Sequence, residues 1–336
     1  MPRQARLDAP GVVHHVMVRG LERRPIFRDD RDRGDFLRRV ARGVEARAWA
    51  VYAWCLLENH GHLLVRTGAQ PLARTMRSLL TGYAGAFNRR HHRAGHLFQN
   101  RYKSIVVEEE PYLLELVRYL HLNPLRARRV ADLRALARDP WSGHSALCGT
   151  VPRPWQATPE ILARFGATVG RARAAYRAFV AAGVAQGRRP DLQGGGLVRS
   201  AGGWAAVATL RRGREAYAAD ERVLGGADFV EELRAEVTQA ARQRATLQAR
   251  LPDLETLCAR IARAAHLPTP ALLGGGRARS VVGARDALAY VWVEVLGRSG
   301  RALAEALNVQ PMSVYRAARR GRARRADWEA AVGLQL

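Results

Sequence analysis

The sequence predicts an α+β protein in three parts: a sheet with helices over residues 1–150, a helical and linker region over 151–250, and an all-helical domain over 251–336. Three observations carry this. In the first 150 residues, short β-branched or aromatic runs alternate with stretches of helical periodicity. Glycine clusters in "GRRPDLQGGGLVRSAGGW" (187–204), the composition of a linker or loop. Beyond residue 254 the apolar residues recur only at helical spacing.

The elements of the first part follow in order. "GVVHHVMVRG" (11–20) is β-branched and reads as a strand. The stretch 29–48 reads as a helix, with Phe36, Leu37, Val40 and Val44 at helical spacing behind an acidic first turn. "WAVYAWCLL" (49–57) and "HGHLLVRT" (60–67) are strands close enough to pair. Residues 71–91 form a helix with Pro71 at its first turn. The aromatic and β-branched stretch 95–109 is a strand, and 110–124 a helix that stops near Pro124. The order βαββαβα is the ferredoxin-like pattern, one antiparallel sheet covered by helices.

The rest is helical. Residues 228–251 read as a charged, solvated connector, because no heptad persists. At 254–267, Leu254, Leu257, Ile261 and Ala265 share a face, and 283–297 is strongly apolar. Residues 299–321 read as helix, turn, helix. Leu303, Ala304 and Leu307 face inward on the first helix, and Val314 and Ala317 on the second. Ser313, Tyr315, Arg316, Arg319 and Arg320 take the outward positions of the second helix. They suit a reader of the DNA major groove, helped by "RARR" at 322–325.

Charge narrows the partners. Of 336 residues, 55 are Lys or Arg and 30 are Asp or Glu, a net charge of +25. Such a chain attracts polyanions, and nucleic acid is the first expectation. No run of 18 apolar residues and no apolar leader is present, so neither a membrane partner nor a secretory route is expected. Three distant cysteines (Cys55, Cys148, Cys258) without CxxC spacing point to a reducing cytoplasm.

The chemistry concentrates in "ENHGHLLV" (58–65). Alternation along a strand puts His60 and His62 on one face, about 7 Å apart at Cα. Two imidazoles there fit a shared divalent metal or a solvated strand face equally well. On the helix at 110–124, Tyr119 and Asn123 are spaced i, i+4 and share a face. An amide oxygen completes a triad with two histidines, and a phenol beside it is a potential nucleophile that needs activation. Tyr112 reads as a packing residue and His121 as structural. His14 and His15 point to opposite faces of the first strand, so one of them could lie near the active face, but a polar sheet residue is the expectation for both.

"NHGHLLV", "GHLFQNRYKS" and "RYLHLNPLRA", with "VVHHVMVRG" before them and "DPWSGHSAL" after, resemble the single-tyrosine HUH transposases over about residues 8–150. The resemblance is closest to the REP-associated tyrosine transposases. It implies Mg²⁺ or Mn²⁺ on His60, His62 and Asn123. It implies Tyr119 as the nucleophile that nicks and rejoins single-stranded DNA at hairpins through a 5′-phosphotyrosine. Two positions depart from the pattern: Gly61 replaces a bulky apolar residue, which is expected to loosen the pocket behind the histidines, and Glu58 replaces a proline. Arg89, Arg90, Arg93, Arg101 and Lys103 are the expected phosphate contacts. The C-terminal part resembles the helix-turn-helix domain of the bacterial replication initiator, implying a second, double-stranded DNA partner. A regulator that binds DNA without cutting it, and a metal phosphohydrolase using water, are the alternative activities. The oligomer is open between monomer and homodimer.

Overall fold

A computed structural model describes residues 9–187, 222–250 and 252–323, together with residues 7, 189 and 192. The predicted linker at 187–204 falls almost wholly outside these residues, as does the end of the basic run at 322–325. The sheet is built on β1 (Val13–Arg19), flanked by β3 (His60–Thr67) and β4 (Lys103–Val107), with β2 (Trp49–Leu57) outside β3. These four strands are antiparallel throughout, in the order β2-β3-β1-β4 expected of a ferredoxin-like sheet. A two-residue strand, β5 (Val223–Leu224), adds to β4 in parallel, which the sequence did not signal.

Alternation along the strands gives each face its own core. Val16, Val18, Leu63 and Val65 pack against α1 (Asp30–Glu45) and α2 (Leu72–Arg90) through Phe36, Val40, Met76 and Tyr83. Val13, Leu64, Ile105 and Val107 pack against α3 (Glu109–Arg126) through Leu113, Leu116 and Leu120. The result is three layers, with α3 against the face that carries His60 and His62. Asp29 caps α1 by accepting from the Asp32 backbone N–H, which fixes that helix start.

One irregularity sets which β2 residues reach that face. The register slips between Val51, opposite Val65, and Ala53, opposite Leu64. An extra residue in a strand reverses the parity of everything after it. Val51 therefore belongs to the α1/α2 side, while Ala53 joins the α3 side and Cys55 lies opposite His62.

Several elements differ from expectation. The strand predicted over 95–109 is regular only at Lys103–Val107. Gly95 takes a positive φ of 83°, and residues 97–99 instead bond to the end of β1. The α3 helix runs past Pro124 to Arg126, since near a C-terminus the missing N–H of proline costs a single bond. Beyond β4, α4 (Leu133–Ala137), α5 (His144–Cys148), α6 (Thr158–Leu162) and α7 (Val169–Ala182) extend the α3 core through Leu136, Leu147, Ile161 and Tyr176. The stretch predicted as a solvated connector, α8 (Ala227–Arg250), buries Val230 and Leu233 against Val106 and Val223, so its first half packs on β4 and β5.

Contacts divide the chain into two compact units, residues 1–239 and 240–336. The second contains α9 (Leu254–Ala264), α10 (Thr269–Leu273), α11 (Arg279–Tyr290), a π-helical turn at Val291–Val295, α12 (Gly300–Ala306) and α13 (Pro311–Arg322). Leu257, Ile261, Leu288, Leu303 and Val314 form its core. The α11 and α13 backbones meet at Gly321, where a Cβ would lie 2.1 Å from the Asp286 carbonyl oxygen.

Candidate metal and nucleophile site

His60 and His62 share one face of β3, with ring centroids 5.1 Å apart. Met17 of β1 and Cys55 of β2 lie opposite His62. The α3 helix lays Tyr119 and Asn123 on the same face. Asn123 Nδ2 donates to Cys55 Sγ at 4.0 Å, and the Tyr119 ring meets His15 edge-on at 6.4 Å. Residues from four separate segments thus converge, all buried except the half-buried His60 and Met17.

Sequence reasoning expected His15 to be no more than a polar sheet residue, and the structure gives it a place in the site. It is buried two positions from Met17, on the site face. Its Nε2 lies 3.0 Å from His62 Nδ1, and the two rings stack at 5.2 Å. On the other histidine, His60 Nδ1 donates to Asn59 Oδ1 at 2.6 Å. Each of the two β3 histidines therefore has its Nδ1 engaged, leaving Nε2 as the nitrogen for a ligand, which is how metal-binding imidazoles are held in one tautomer. The signal for His15 was the antiparallel pairing of β1 with β3, which places "VHHV" beside the pair.

Electrostatics keeps these rings neutral. Burial, then the Arg19 cation, lowers His60 to about 4. Burial lowers His62 well below the ordinary histidine value, helped by His15, His60 and Arg19. Burial and Lys103 lower His15 to about 4. A neutral imidazole has a lone pair to give, and a protonated one does not. Two imidazole nitrogens and an amide oxygen fit a divalent cation that accepts mixed N and O ligands.

A residue absent from the sequence reading is Arg126. It lies seven positions after Tyr119, on nearly the same helix face. Its guanidinium carbon is 5.5 Å from the Tyr119 ring centroid. Nη2 donates to the Gly183 carbonyl at 3.4 Å, while Nε and Nη1 are buried with no partner among the described residues. Burial lowers the Arg126 pKa and Tyr119 opposes that shift, so the pair is attractive when the phenol is ionised.

A different donor cluster, Asp29, Asp32 and His91, also has metal-like spacing. Asp32 is fully buried, and its oxygens already accept from Arg90, from the Arg28 N–H at 2.9 Å and from His91 Nε2 at 2.8 Å. With an arginine balancing the carboxylate, this cluster ties the end of α2 to the start of α1.

The expected DNA contacts separate into two sets. Arg89, Arg101 and Lys103 are exposed, and Lys103 stands opposite Met17 on the site face. Arg93 is half-buried over the Phe87 ring at 5.8 Å, and Arg90 is engaged by Asp32. In the second unit Ser313, Tyr315, Arg316 and Arg319 are exposed on α13. Arg320 instead forms a two-pronged pair with Asp286 of α11, at 2.8 and 2.6 Å. His121 points away from Tyr119 and bonds to the Tyr176 hydroxyl, which His144 also engages. Behind Gly61 there is no void: a Cβ there would meet Leu56 Cδ2 at 3.3 Å and Val18 Cγ2 at 3.5 Å.

Residues 10–123 match the family of IS200-like transposases. The match is confined to this segment. It is about a third of the chain, and it contains His15, His60, His62, Tyr119 and Asn123. No curated protein matches the sequence. Among solved structures, the chain is similar to a REP-associated tyrosine transposase bound to a REP hairpin, at 16% identity and a TM-score of 0.38. That similarity covers 44% of this chain and 86% of the other. It is too distant for the neighbour's DNA partner to be carried across. IS200-like transposases are DNA-processing enzymes, and no helix among the described residues is long and apolar enough to cross a membrane.

Proposed function

We propose that the chain nicks and rejoins single-stranded DNA at hairpin sites, with Tyr119 as nucleophile and His60, His62 and Asn123 as ligands of Mg²⁺ or Mn²⁺. The observation that carries this is the convergence of Tyr119 and Asn123 of α3 with the His60–His62 face of β3. The phenolic oxygen of Tyr119 attacks the phosphorus of a phosphodiester. The P–O3′ bond breaks, the phenol loses its proton and the departing 3′ oxygen gains one. The products are a 5′-phosphotyrosine and a 3′-hydroxyl, and attack by a 3′-hydroxyl reverses the step. A bound divalent ion would polarise the phosphate and offset its charge.

The chain's own groups supply the rest. His15 and Asn59 orient the two imidazoles. Arg126 favours the phenolate of Tyr119, and the three N–H groups on its Nε and Nη1 are left for phosphate oxygens. Arg19 and Lys103 make the face positive where a phosphate backbone arrives. Under this proposal residues 1–150 hold the nuclease, and 251–336 bind double-stranded DNA through Ser313, Tyr315, Arg316 and Arg319 of α13. The region 151–250 lies between them in sequence, and the protein works at the nucleoid.

The test is covalent capture. Labelled single-stranded hairpin DNA with Mn²⁺ is expected to leave label on the protein, and Tyr119→Phe to abolish it. An adduct that persists in Tyr119→Phe overturns the nucleophile. Hairpin binding without an adduct under either metal makes the chain a regulator that binds and does not cut.

A further inference from the structure

The chemistry above leaves three polar ties from α3 unused. All three run to α7 or to the residue that follows it, outside the segment that matches the IS200-like family. Arg118, next to Tyr119, is buried with its guanidinium carbon 4.2 Å from the Phe179 ring centroid, and its Nη1 donates to the Phe179 carbonyl at 3.4 Å. His121 is fully buried, with Nδ1 2.8 Å from the Tyr176 hydroxyl. Arg126 donates to the Gly183 carbonyl at 3.4 Å.

Two positions on the α7 side make specific demands. The Tyr176 hydroxyl is also 2.6 Å from His144 Nδ1 of α5. A phenol has one proton, so it donates to one imidazole and accepts from the other. Burial keeps both rings neutral, which suits this division of roles. One oxygen thus joins α3, α5 and α7 inside a core that includes Leu120, Leu147 and Val180. At Gly183 the demand is for space. Its φ of −80° is open to any residue, but a Cβ would lie 2.5 Å from Arg118 Cδ and 3.0 Å from Arg118 Nε.

Apolar packing alone does not hold a helix in one register, because burial has no direction. A slip of one residue turns an α-helix by about 100° and moves it about 1.5 Å. Hydrogen bonds to particular acceptors select one register. Arg118 and His121 lie on the sides of α3 turned away from Tyr119, and Arg126 lies on nearly the same side as Tyr119. The helix is therefore tied on both sides of the nucleophile in sequence.

We propose that α7 sets the pose of Tyr119, with Tyr176 and Gly183 as positioning residues. Tyr176 fixes the rotation of α3 through His121, and Gly183 lets the α7 end come close enough to seat Arg118 and Arg126. The expected effect on rate rests on Tyr119 being the nucleophile; the effect on the placement of its ring does not.

Two full-length variants test this. Tyr176→Phe deletes the shared oxygen alone, and Gly183→Ala adds one methyl group against Arg118. Three quantities are measured below the melting transition of each. They are the affinity for a labelled DNA hairpin, the single-turnover rate of adduct formation at saturating hairpin and Mn²⁺, and the ¹⁹F resonance of 3-fluorotyrosine placed at Tyr119. A misplacement of about 1 Å costs on the order of 100-fold in rate. Tyr176→Phe should lower the saturated rate by about that much and leave hairpin affinity within about twofold. It should also shift or split the ¹⁹F line, and Gly183→Ala should act in the same direction to a smaller extent. If α7 only stabilises the fold, both variants melt earlier but keep the wild-type saturated rate and ¹⁹F line. That result overturns the proposal and leaves the nuclease reading intact. Should Tyr176→Phe fail to fold, Gly183→Ala decides by the same two readouts. A wild type that forms no adduct removes the nucleophile reading, and the ¹⁹F line then decides. A line that moves in a folded variant upholds the placement of Tyr119 by α7, and a line unmoved in both overturns it.

Discussion

Replacing His15 with phenylalanine isolates one hydrogen bond. The ring that stacks on His62 at 5.2 Å and meets Tyr119 edge-on is kept in kind, and only the nitrogen 3.0 Å from His62 Nδ1 is lost. His62 is then buried with Nδ1 unpaired, free to exchange tautomers and place its proton on Nε2, where a metal would bind. Loss of an outer partner of a metal-binding histidine typically costs about 10–100-fold in metal affinity, which is about 1.4–2.7 kcal/mol. The unpaired buried nitrogen should also cost the fold about 1–3 kcal/mol, visible as a lowered melting temperature without loss of the folded state. The assay is Mn²⁺ binding, read from the electron paramagnetic resonance signal of free Mn²⁺, with His60→Ala as the control that removes a ligand. The expected result is a Kd raised 10–100-fold in His15→Phe. A folded His15→Phe that binds Mn²⁺ within twofold of wild type refutes the reasoning. Loss of binding in His15→Phe with none in His60→Ala would place the metal elsewhere.

Three further outcomes follow from the geometry. Arg126→Gln should slow adduct formation on the order of 100-fold, the usual effect of removing one preorganised donor. Arg126→Lys should recover part of the rate with its pH dependence moved upward; unchanged single-turnover rates in both variants would exclude a role at Tyr119. Gly61→Leu, which restores a bulky apolar residue to the motif, should destabilise the protein by about 1–3 kcal/mol through overpacking, because Leu56 and Val18 already fill that space. Denaturant unfolding of this variant at wild-type stability would show a cavity that the packing denies. Burial lowers His144 to about 4 and His121 well below its ordinary value, so both stay neutral in the fold. An unfolded chain protonates its histidines near pH 6.5. Below that pH the unfolded state binds more protons, so stability should fall from about pH 6.5 toward 4 and stay level above. A melting temperature that does not change between pH 7 and 5 in metal-free buffer contradicts this.

The sheet was legible because its strands are short, β-branched and separated by amphipathic helices. Period two also put His60 and His62 together without any structure. Tyr119 and Asn123 were legible as a pair from helical spacing, and their meeting with β3 came from the family resemblance. What the sequence hid is what depends on tertiary pairing. His15 gains a role only when β1 lies beside β3. Cys55 reaches the site only through the slip after Val51, and a slip of one residue leaves no compositional mark. Arg126 was obscured by Pro124, which reads as a helix end but sits where the helix needs just one more turn. Arg90 and Arg320 looked like phosphate contacts because arginine is read as solvated by default. Each instead balances an aspartate, Asp32 and Asp286. A linear count of charge cannot show which cations are already spent.

The surplus of positive charge also bears on the histidines themselves. A basic face draws in a phosphate backbone, but an isolated histidine there would be of little use if it were protonated. At His60 and His15 the same cations that attract the backbone, Arg19 and Lys103, add to burial in disfavouring the imidazolium. Attraction of the substrate and retention of the lone pairs thus come from one arrangement of charge rather than competing for it. An acidic residue placed near His60 to balance Arg19 would work against both, weakening the field on the DNA and raising the histidine pKa. The amide of Asn59 meets the constraint differently. It orients His60 through a neutral acceptor, whereas a carboxylate in that position would hold the ring by stabilising its protonated form. On a face meant for phosphate, a neutral partner fixes the tautomer without adding a charge that repels the substrate.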